Sequence, residues 1–304
     1  MIEEQHAPDA QRRSIPPTTV GSPLVKRIAI AALLIPILLL AAYVGLLLAL
    51  PCVVVSIVLG LREWYRMLEH DAYQPDALIG LIAALGFCAA AVVQITLHVD
   101  VSGLVLCGSI MLLLVRGMQG RQQRRLVDQA LTLMGACYIG WLMSHHLLLL
   151  GLQTPLNPGW LDALQLSAGA AWLYFAFGVN WMHDATAFFV GRRWGRRSIA
   201  PRISPQKTWE GFAGGMLGSI GMALLSVPLY GLPVSLPVAA MMGTAGGVAA
   251  FFGDLAVSWV KRQFGLKNTG NLLPGHGGLL DRVDSLLFSI PLIYYLVLLE
   301  MRIG

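Results

Sequence analysis

The chain has 304 residues, of which 56% are hydrophobic and 12% are charged, and its formal net charge is +5. Soluble domains average about 25% charged residues, so this composition excludes an ordinary soluble protein. Runs of about 20 apolar residues, enough to cross the hydrocarbon core of a bilayer, recur between short charged clusters. The sequence therefore predicts an all-α, polytopic bundle of membrane helices.

The amino-terminal stretch 1–21 is polar, contains two adjacent prolines and shows no apolar period, so we expect a disordered tail. The apolar run after Arg27 continues without charge to Leu61, far beyond the roughly 7 to 15 residues of a cleavable signal core. We therefore expect this run to stay in the membrane. About nine spans are predicted, at 28–60 divided in two near Gly45, 78–97, 101–115, 131–150, 168–190, 212–232, 234–260 and 286–299.

Basic residues indicate the orientation, because cytoplasmic loops retain Lys and Arg. With the amino terminus inside, every Lys and Arg except Arg302 falls in a cytoplasmic segment. This asymmetry predicts a cytoplasmic amino terminus, a periplasmic carboxyl terminus and a multi-pass protein of a bacterial-type inner membrane. The positive charge is then a sheet at the cytoplasmic surface, which argues against a nucleic-acid partner.

The chain is predicted to divide into the tail 1–21, about five spans within 22–167, and a catalytic part, 168–304, that holds most of the polar motifs. The first spans carry little assigned chemistry and would suit a homodimer interface. The four cysteines stand singly in apolar stretches, which favours small core residues over a disulfide or a zinc site.

A cytoplasmic loop at 199–211 is rich in groups that bind anions. Its polar residues are Arg202, Ser204, Lys207, Thr208 and Glu210. Such a loop can place hydroxyls, a guanidinium and an ammonium around one phosphate, and Thr208 can cap the helix that begins near Trp209. The simpler alternative is a charged connector with a helix cap.

Two carboxylates interrupt apolar spans near the cytoplasmic side. Asp254 shares one helical face with Ser258 and Lys261. An ionised carboxylate costs roughly 2.5 to 3.5 kcal/mol at the bilayer centre unless it faces a polar interior with a cation, so a basic partner is predicted. Asp184 needs a partner for the same reason, whereas His183 beside it is interpreted as a packed core residue.

A glycine-rich loop at 270–278 precedes a further pair of acids. The loop contains His276, Gly277 and Gly278, whose backbone amides could wrap a polyphosphate. Asp281 and Asp284 follow at i and i+3, where two carboxylates repel unless a cation lies between or beside them. The sequence predicts Mg²⁺ at these acids, with Asp254 completing the site. The alternative pairs both acids with Arg282 and neighbouring bases in surface salt bridges.

These motifs together resemble the phosphatidate cytidylyltransferases, also called CDP-diacylglycerol synthases. The carboxyl-terminal match comprises Ser258, Lys261, Arg262, Lys267, Gly270, the run 273–278, Asp281, Arg282 and Asp284. The run 204–211 and Asp184 are similar to upstream elements of the same family. The chain departs from the family pattern at Asn268, where Asp is usual, and at His183, where Asn is usual.

The resemblance implies a membrane enzyme that joins CTP and phosphatidic acid into CDP-diacylglycerol and releases pyrophosphate. It implies Asp254 and Asp281 as Mg²⁺ ligands with Asp284 assisting, and it leaves room for a second, monovalent cation. The residues expected to hold or orient substrate are Asp184, Arg202, Ser204, Lys207, Thr208, Glu210, Ser258, Lys261, Arg262, Lys267, His276, Gly277, Gly278 and Arg282. The expected partners are CTP, phosphatidic acid and the surrounding membrane lipids.

Two other functions are weighed against this one. Intramembrane acids also mark ion pathways, so a transporter is the alternative outside enzymes. Transporters commonly contain repeated halves with broken helices, whereas the polar groups here concentrate in the last part of the chain. The alternative within enzymes is a CTP-using protein that acts on another lipid, since the apolar half would accept many tails.

Overall fold

A computed structural model describes residues 24–71, 73–118, 126–270 and 277–303 of the chain. Within these ranges the helices are α1 (Leu24–Val44), α2 (Leu46–His70), α3 (Ala77–Leu97), α4 (Ser102–Met118), α5 (Leu126–Gly135), α6 (Leu142–Leu150), α7 (Ala168–Trp194), α8 (Trp209–Tyr230), α9 (Leu236–Gln263) and α10 (Leu280–Ile303). A π-helical turn, Ala136–Trp141, joins α5 to α6, and a short 3₁₀ turn, Asp162–Leu164, precedes α7. The predicted helical membrane bundle is confirmed, while the tail predicted at 1–21 lies outside the described residues.

Six helical stretches of the described chain are long and apolar enough to cross a membrane: Leu46–His70, Ala77–Leu97, Leu126–Leu150, Trp209–Tyr230, Leu236–Gln263 and Leu280–Arg302. Two shorter apolar stretches, Leu34–Val44 and Ser102–Met118, accompany them. Helix α7, with 27 residues, is long enough to cross a membrane but is more polar than these six stretches. Large apolar side chains such as Leu47, Leu104 and Leu217 are exposed on the outside of the bundle, as lipid contact requires. The exact count of nine spans stays a prediction.

The division of the first apolar run falls at Gly45, as predicted. Its φ of 92° lies in the left-handed region, which glycine adopts without steric cost, and the chain restarts as α2 at Leu46. Helix α2 then continues to His70, well past the predicted limit at residue 60. The extension buries Trp64, Tyr65 and Leu68 against neighbouring helices, together with the charged residue Glu63.

Close packing of α7 to α10 builds the end of the bundle where the predicted site residues lie. A side chain at Gly214 of α8 would come within 2.5 Å of Val190 in α7, and one at Gly253 of α9 would come within 2.5 Å of the Asp284 carbonyl in α10. In a membrane, apolar side chains gain little by leaving lipid for a helix interface, so helices associate mainly through close packing. Small residues allow that packing because they let the helix backbones approach each other. The glycines thereby bring Asp184, Asp254 and Asp284 to one end of the bundle.

The loop predicted at 199–211 folds as a two-stranded antiparallel hairpin, which the sequence did not indicate. Strand β1 (Ser198–Ala200) pairs with β2 (Ser204–Thr208), and a turn at 201–203 joins them. Helix α8 begins directly after β2. The hairpin therefore holds the polar side chains of β2 in an extended strand beside the bundle end.

Candidate active site

A cavity of about 490 Å³ opens where the second half of α7, strand β2, the first turn of α8, the end of α9 and the start of α10 meet. The predicted site residues that line it are Asp184, Ser204, Lys207, Thr208, Asp254, Lys261, Asp281, Arg282 and Asp284. The structure thus brings residues of strand β2 and of the helices α7, α9 and α10 to one place.

Asp254 has the basic partner that its position in an apolar helix requires. The Lys207 Nζ lies 2.9 Å from Asp254 Oδ2 and donates a hydrogen bond to the Phe251 carbonyl at 3.2 Å. The same ammonium is 4.6 Å from the centre of the Phe251 ring, a cation–π distance. Because strand β2 supplies the lysine and α9 supplies the acid, this pair attaches the hairpin to the bundle.

The hairpin is held by contacts that leave Lys207 directed into the cavity. Thr208 caps α8, as predicted, by accepting a hydrogen bond from the Gly211 N–H at 3.1 Å. Glu210 accepts hydrogen bonds from the backbone N–H groups of Arg196 and Arg197. These bonds close the base of the hairpin.

Arg262 contacts backbone carbonyl groups near the hairpin turn. Its guanidinium donates to the carbonyls of Ile203 and Leu266, at 3.1 and 3.0 Å, and so ties the hairpin turn to the segment after α9. Glu210 likewise engages the backbone rather than the cavity. Both side chains thus hold backbone groups of the hairpin and its surroundings, and their predicted contact with substrate stays a prediction.

Lys261 and Asp281 form a second, more buried ion pair at the cavity. The Lys261 Nζ lies 2.7 Å from Asp281 Oδ1, and the two side chains are 10% and 7% exposed. The other carboxylate oxygen, Oδ2, accepts hydrogen bonds from the Thr269 N–H, the Thr269 hydroxyl and the Gly278 N–H at 3.0 to 3.1 Å. Both oxygens of Asp281 are therefore engaged by protein donors, and its role as a metal ligand stays a prediction.

The two glycines before α10, Gly277 and Gly278, pack against the carboxylate of Asp281. Gly277 has a φ of 84°, and a side chain there would come within 2.8 Å of Asp281 Oδ2. The Gly278 N–H, predicted to face a polyphosphate, instead donates to that same oxygen. Glycine is required here because the backbone itself packs against the carboxylate.

Four aspartates line the cavity: Asp184, Asp254, Asp281 and Asp284. Asp284 is buried, and within the described chain its carboxylate accepts a hydrogen bond from the Ser285 N–H alone. No three His, Cys, Asp or Glu side chains among the described residues form a ready metal cage. Mg²⁺ commonly takes one or two carboxylates and completes its shell with substrate phosphate oxygens and water. The oxygen donors of Asp254 and Asp284 fit that kind of site.

Ser258, Arg202 and Lys267 are predicted site residues that are not among those lining the cavity. The Ser258 hydroxyl donates to Asp254 Oδ1 at 3.4 Å. Arg202 is exposed in the hairpin turn, and Lys267 is exposed next to Asn268, which lines the cavity. His276 lies outside the described residues.

His183 is a buried residue, as interpreted from the sequence, but it also reaches the cavity. Its side chain is 2% exposed, and Nδ1 lies 3.3 Å from Asp184 Oδ1. The other ring nitrogen, Nε2, has no hydrogen-bond partner within the described part of the chain. The imidazole packs on Gly215, where a side chain would collide with it.

Glu63 is a contributor that the sequence analysis missed. It lies in α2, is 6% exposed, and its carboxylate accepts hydrogen bonds from the Leu279 and Leu280 N–H groups and from the Thr269 hydroxyl. The available signal was an acid between basic residues at the end of a long apolar run. The basic residues there indicate only the membrane orientation. The acid itself gives no indication of its partners, because they lie more than 200 residues away in the sequence.

Comparisons with known proteins relate most of the chain to one family. Residues 25–299 match the model of a family described as the cytidylyltransferase family. A protein of Synechocystis sp. named phosphatidate cytidylyltransferase is 32% identical over 256 residues, which cover 80% of this chain and 86% of the relative.

Two other relatives of the same name match over a shorter range. The Brucella abortus protein is 41% identical over 174 residues, covering 51% of this chain and 63% of the relative. The Bacillus subtilis protein is 40% identical over 131 residues, covering 43% of this chain and 49% of the relative. The chain thus spans less than two thirds of the length of these two relatives.

Proposed function

Because the chain belongs to the cytidylyltransferase family, we propose that it transfers the cytidylyl group of CTP to phosphatidic acid, forming CDP-diacylglycerol and pyrophosphate. The observation that carries this proposal is the cavity in which Lys207 and Lys261 each lie against an aspartate and which Asp284 also lines. Cations and carboxylates around one space are what transfer between two phosphates requires, since catalysis there rests on positioning and charge neutralisation.

The chemistry needs no general base. An oxygen of the lipid phosphate, already an anion at neutral pH, forms a bond to the α-phosphorus of CTP. The bond from that phosphorus to the bridging oxygen of the β-phosphate breaks, and pyrophosphate leaves with the electron pair. Lys207, Lys261 and Arg282 lie where they can hold the phosphate oxygens and offset their charge. The Thr208 hydroxyl, whose oxygen caps α8, can donate its hydrogen to the substrate.

Asp254 and Asp284 are the residues that would hold Mg²⁺, with Asp184 on the same wall of the cavity. When bound, Mg²⁺ supplies positive charge to the triphosphate, which the paired lysines provide only in part. Asp281 is proposed to orient Lys261 through their 2.7 Å contact.

The lipid substrate is proposed to approach beside α7 and α8, from the cytoplasmic half of the membrane. Phe188 and Phe212 line the cavity, and Phe188 is 58% exposed. An exposed aromatic wall next to charged groups suits a molecule with acyl chains and a phosphate. The cavity is proposed to face the cytoplasm, where CTP is available, in a bacterial inner membrane.

The first test measures pyrophosphate release by the protein purified in detergent, with CTP, phosphatidic acid and Mg²⁺. We expect release that depends on all three, and loss of at least about 100-fold in Asp254→Asn, because the variant removes a carboxylate from the phosphate-binding cavity. The matched control is Asp162→Asn, which neutralises an exposed acid in the loop before α7 and should leave the rate unchanged.

Two outcomes would overturn the proposal. Absence of release with every nucleotide tried would favour a transporter. Release with another lipid phosphate but not with phosphatidic acid would retain cytidylyl transfer and assign a different lipid.

A further inference from the structure

We propose that Glu63 is a positioning residue for this active site: from the membrane helix α2, its carboxylate fixes the α9–α10 connection on both sides and, through Thr269, sets the place of Asp281. The kinetic part of this inference rests on the proposed function. Its structural part does not, because the hydrogen bonds of Glu63 are features of the fold and do not depend on which reaction the cavity catalyses.

The contacts of Glu63 join two segments that are separate in sequence. Oε1 accepts from the Leu279 N–H at 2.8 Å, and Oε2 accepts from the Leu280 N–H at 2.9 Å, at the start of α10. Oε2 also accepts from the Thr269 hydroxyl at 2.9 Å, six residues after the end of α9. One side chain thereby holds the connection before and after its glycine-rich part.

The chemistry of these contacts requires an acceptor with two oxygens. The first N–H groups of a helix have no partner inside the helix, and the positive end of its dipole favours an anion. A buried carboxylate is stable only when hydrogen bonds or a cation replace its water. Here the N–H groups at the start of α10 replace the water around the Glu63 carboxylate, and the carboxylate accepts the hydrogen bonds that those N–H groups cannot make inside the helix.

The surrounding backbone is shaped to the carboxylate. A side chain added at Gly270 would come within 3.0 Å of Glu63 Oε1, and one at Gly278 would collide with Glu63 Oε2 and with the Thr269 hydroxyl. These two glycines therefore leave room for the Glu63 carboxylate. The same motif glycines that the sequence suggests for phosphate binding here accommodate a carboxylate from α2.

The path from Glu63 to the cavity is short. The Thr269 hydroxyl oxygen lies 2.9 Å from Glu63 Oε2 and 3.1 Å from Asp281 Oδ2, so the two carboxylates share its one hydrogen. The Thr269 N–H also donates to Asp281. Asp281 in turn lies 2.7 Å from the Lys261 ammonium. Movement of Thr269 would displace Asp281 and, with it, the lysine that is proposed to hold phosphate.

The test combines kinetics with hydrogen exchange on the full chain in detergent. Glu63→Gln retains the shape but replaces one acceptor oxygen with a donor, and we expect kcat to fall about 10- to 100-fold, the range for residues that orient ligands through another group. The KM for phosphatidic acid should change much less. Exchange in a peptide covering 277–285 should become faster, because one of the two N–H groups, of Leu279 or of Leu280, loses its acceptor.

The control is Glu69→Gln, which neutralises an exposed acid on the same helix and should alter neither readout. Thr269→Val should lower kcat to a similar degree, whereas Thr269→Ser, which keeps the hydroxyl, should restore most of it. In the double variant Glu63→Gln with Thr269→Val, the loss should be close to that of the more impaired single variant, since both act through one contact.

Each result decides for or against the inference. Faster exchange with an unchanged kcat, or fully additive losses in the double variant, would make Glu63 a purely structural residue and overturn it. Unchanged exchange would overturn the contact itself. If the unmodified protein releases no pyrophosphate, the proposed function fails, while the exchange comparison still decides whether Glu63 holds the connection.

Discussion

At the scale of single residues, the candidate site consists of charges that stabilise one another at the edge of an apolar bundle. Lys207 and Asp254 come from a hairpin and a membrane helix, and their side chains are 17% and 41% exposed. Removing one member of a partly buried pair leaves the other charge without compensation, which costs more than the pair contributes when intact. Each member should therefore be sensitive to replacement.

Replacing Lys207 by Met tests this point. The variant keeps the length of the side chain but removes the ammonium from Asp254 and from the proposed phosphate site, so we expect kcat/KM for CTP to fall at least about 100-fold. Lys207→Arg, which keeps the charge, should lose less. The measurement is steady-state pyrophosphate release at several CTP concentrations; equal activity of Lys207→Met and the unmodified protein would contradict the assigned role.

Asp281 and Asp284 have different surroundings, although the sequence analysis assigns both to one metal site. Asp281 accepts hydrogen bonds on both oxygens, whereas Asp284 accepts one from its own neighbour, Ser285. The i and i+3 spacing predicts a shared face for the two, but it does not predict which donors surround each one. Those donors come from Thr269 and Lys261, and their approach depends on how α9 and α10 pack.

At the scale of elements, the position of the site depends on the distance between α7 and α8. The small residues Gly214, Gly215 and Gly218 of α8 lie against Val190, His183 and Thr186 of α7. This close approach sets the wall that carries Asp184, and it places the hairpin between α7 and α8 over the cavity.

Gly214→Ala is expected to force the two helices apart. The added methyl group would come within 2.5 Å of Val190, so the variant should lose about 1 to 3 kcal/mol of stability and show a lower Tm in detergent. The second substitution Val190→Ala should recover part of that loss.

The matched control is Gly221→Ala on the same helix. A side chain there meets no atom within 4 Å, and alanine favours a helix over glycine, so its Tm should be unchanged or higher. A lower Tm in Gly221→Ala than in Gly214→Ala would show that the close approach is not what stabilises the pair.

At the scale of the whole molecule, the active-site cavity lies at one end of the helical bundle. Asp281 and Arg302 stand near opposite ends of α10, and 21 residues of helix extend over about 30 Å, the thickness of the hydrocarbon core. The hairpin turn with Arg202 belongs to the cavity end. The loop with Asp162 contacts the opposite end of α8, through backbone hydrogen bonds of Trp160 and Leu161.

The predicted orientation can be tested by labelling from one side of the membrane. In a variant without the native cysteines, Arg202→Cys should react with an impermeant maleimide only when the cytoplasmic face is accessible, and Asp162→Cys only from the periplasmic face. Both positions are exposed, so reactivity reports their side. Labelling of both from the same face would contradict the predicted topology.

The predicted homodimer stays a prediction.

The sequence by itself determined the membrane bundle, the break at Gly45, the cap at Thr208 and the requirement for a cation near Asp254. Each of these follows from local composition or spacing: long apolar runs, a residue that tolerates positive φ, a hydroxyl before a helix, a charge in an apolar span. Their physical causes act within a few residues of the chain.

Only the tertiary structure decided which base pairs with which acid, that Arg262 and Glu210 hold the hairpin, and that Glu63 reaches Thr269 and α10 across more than 200 residues of sequence. These contacts depend on the depth and rotation at which helices pack, which are set by glycine-mediated approach and side-chain volume over the whole bundle. A pattern along one segment carries no information on the partner that another segment brings to it.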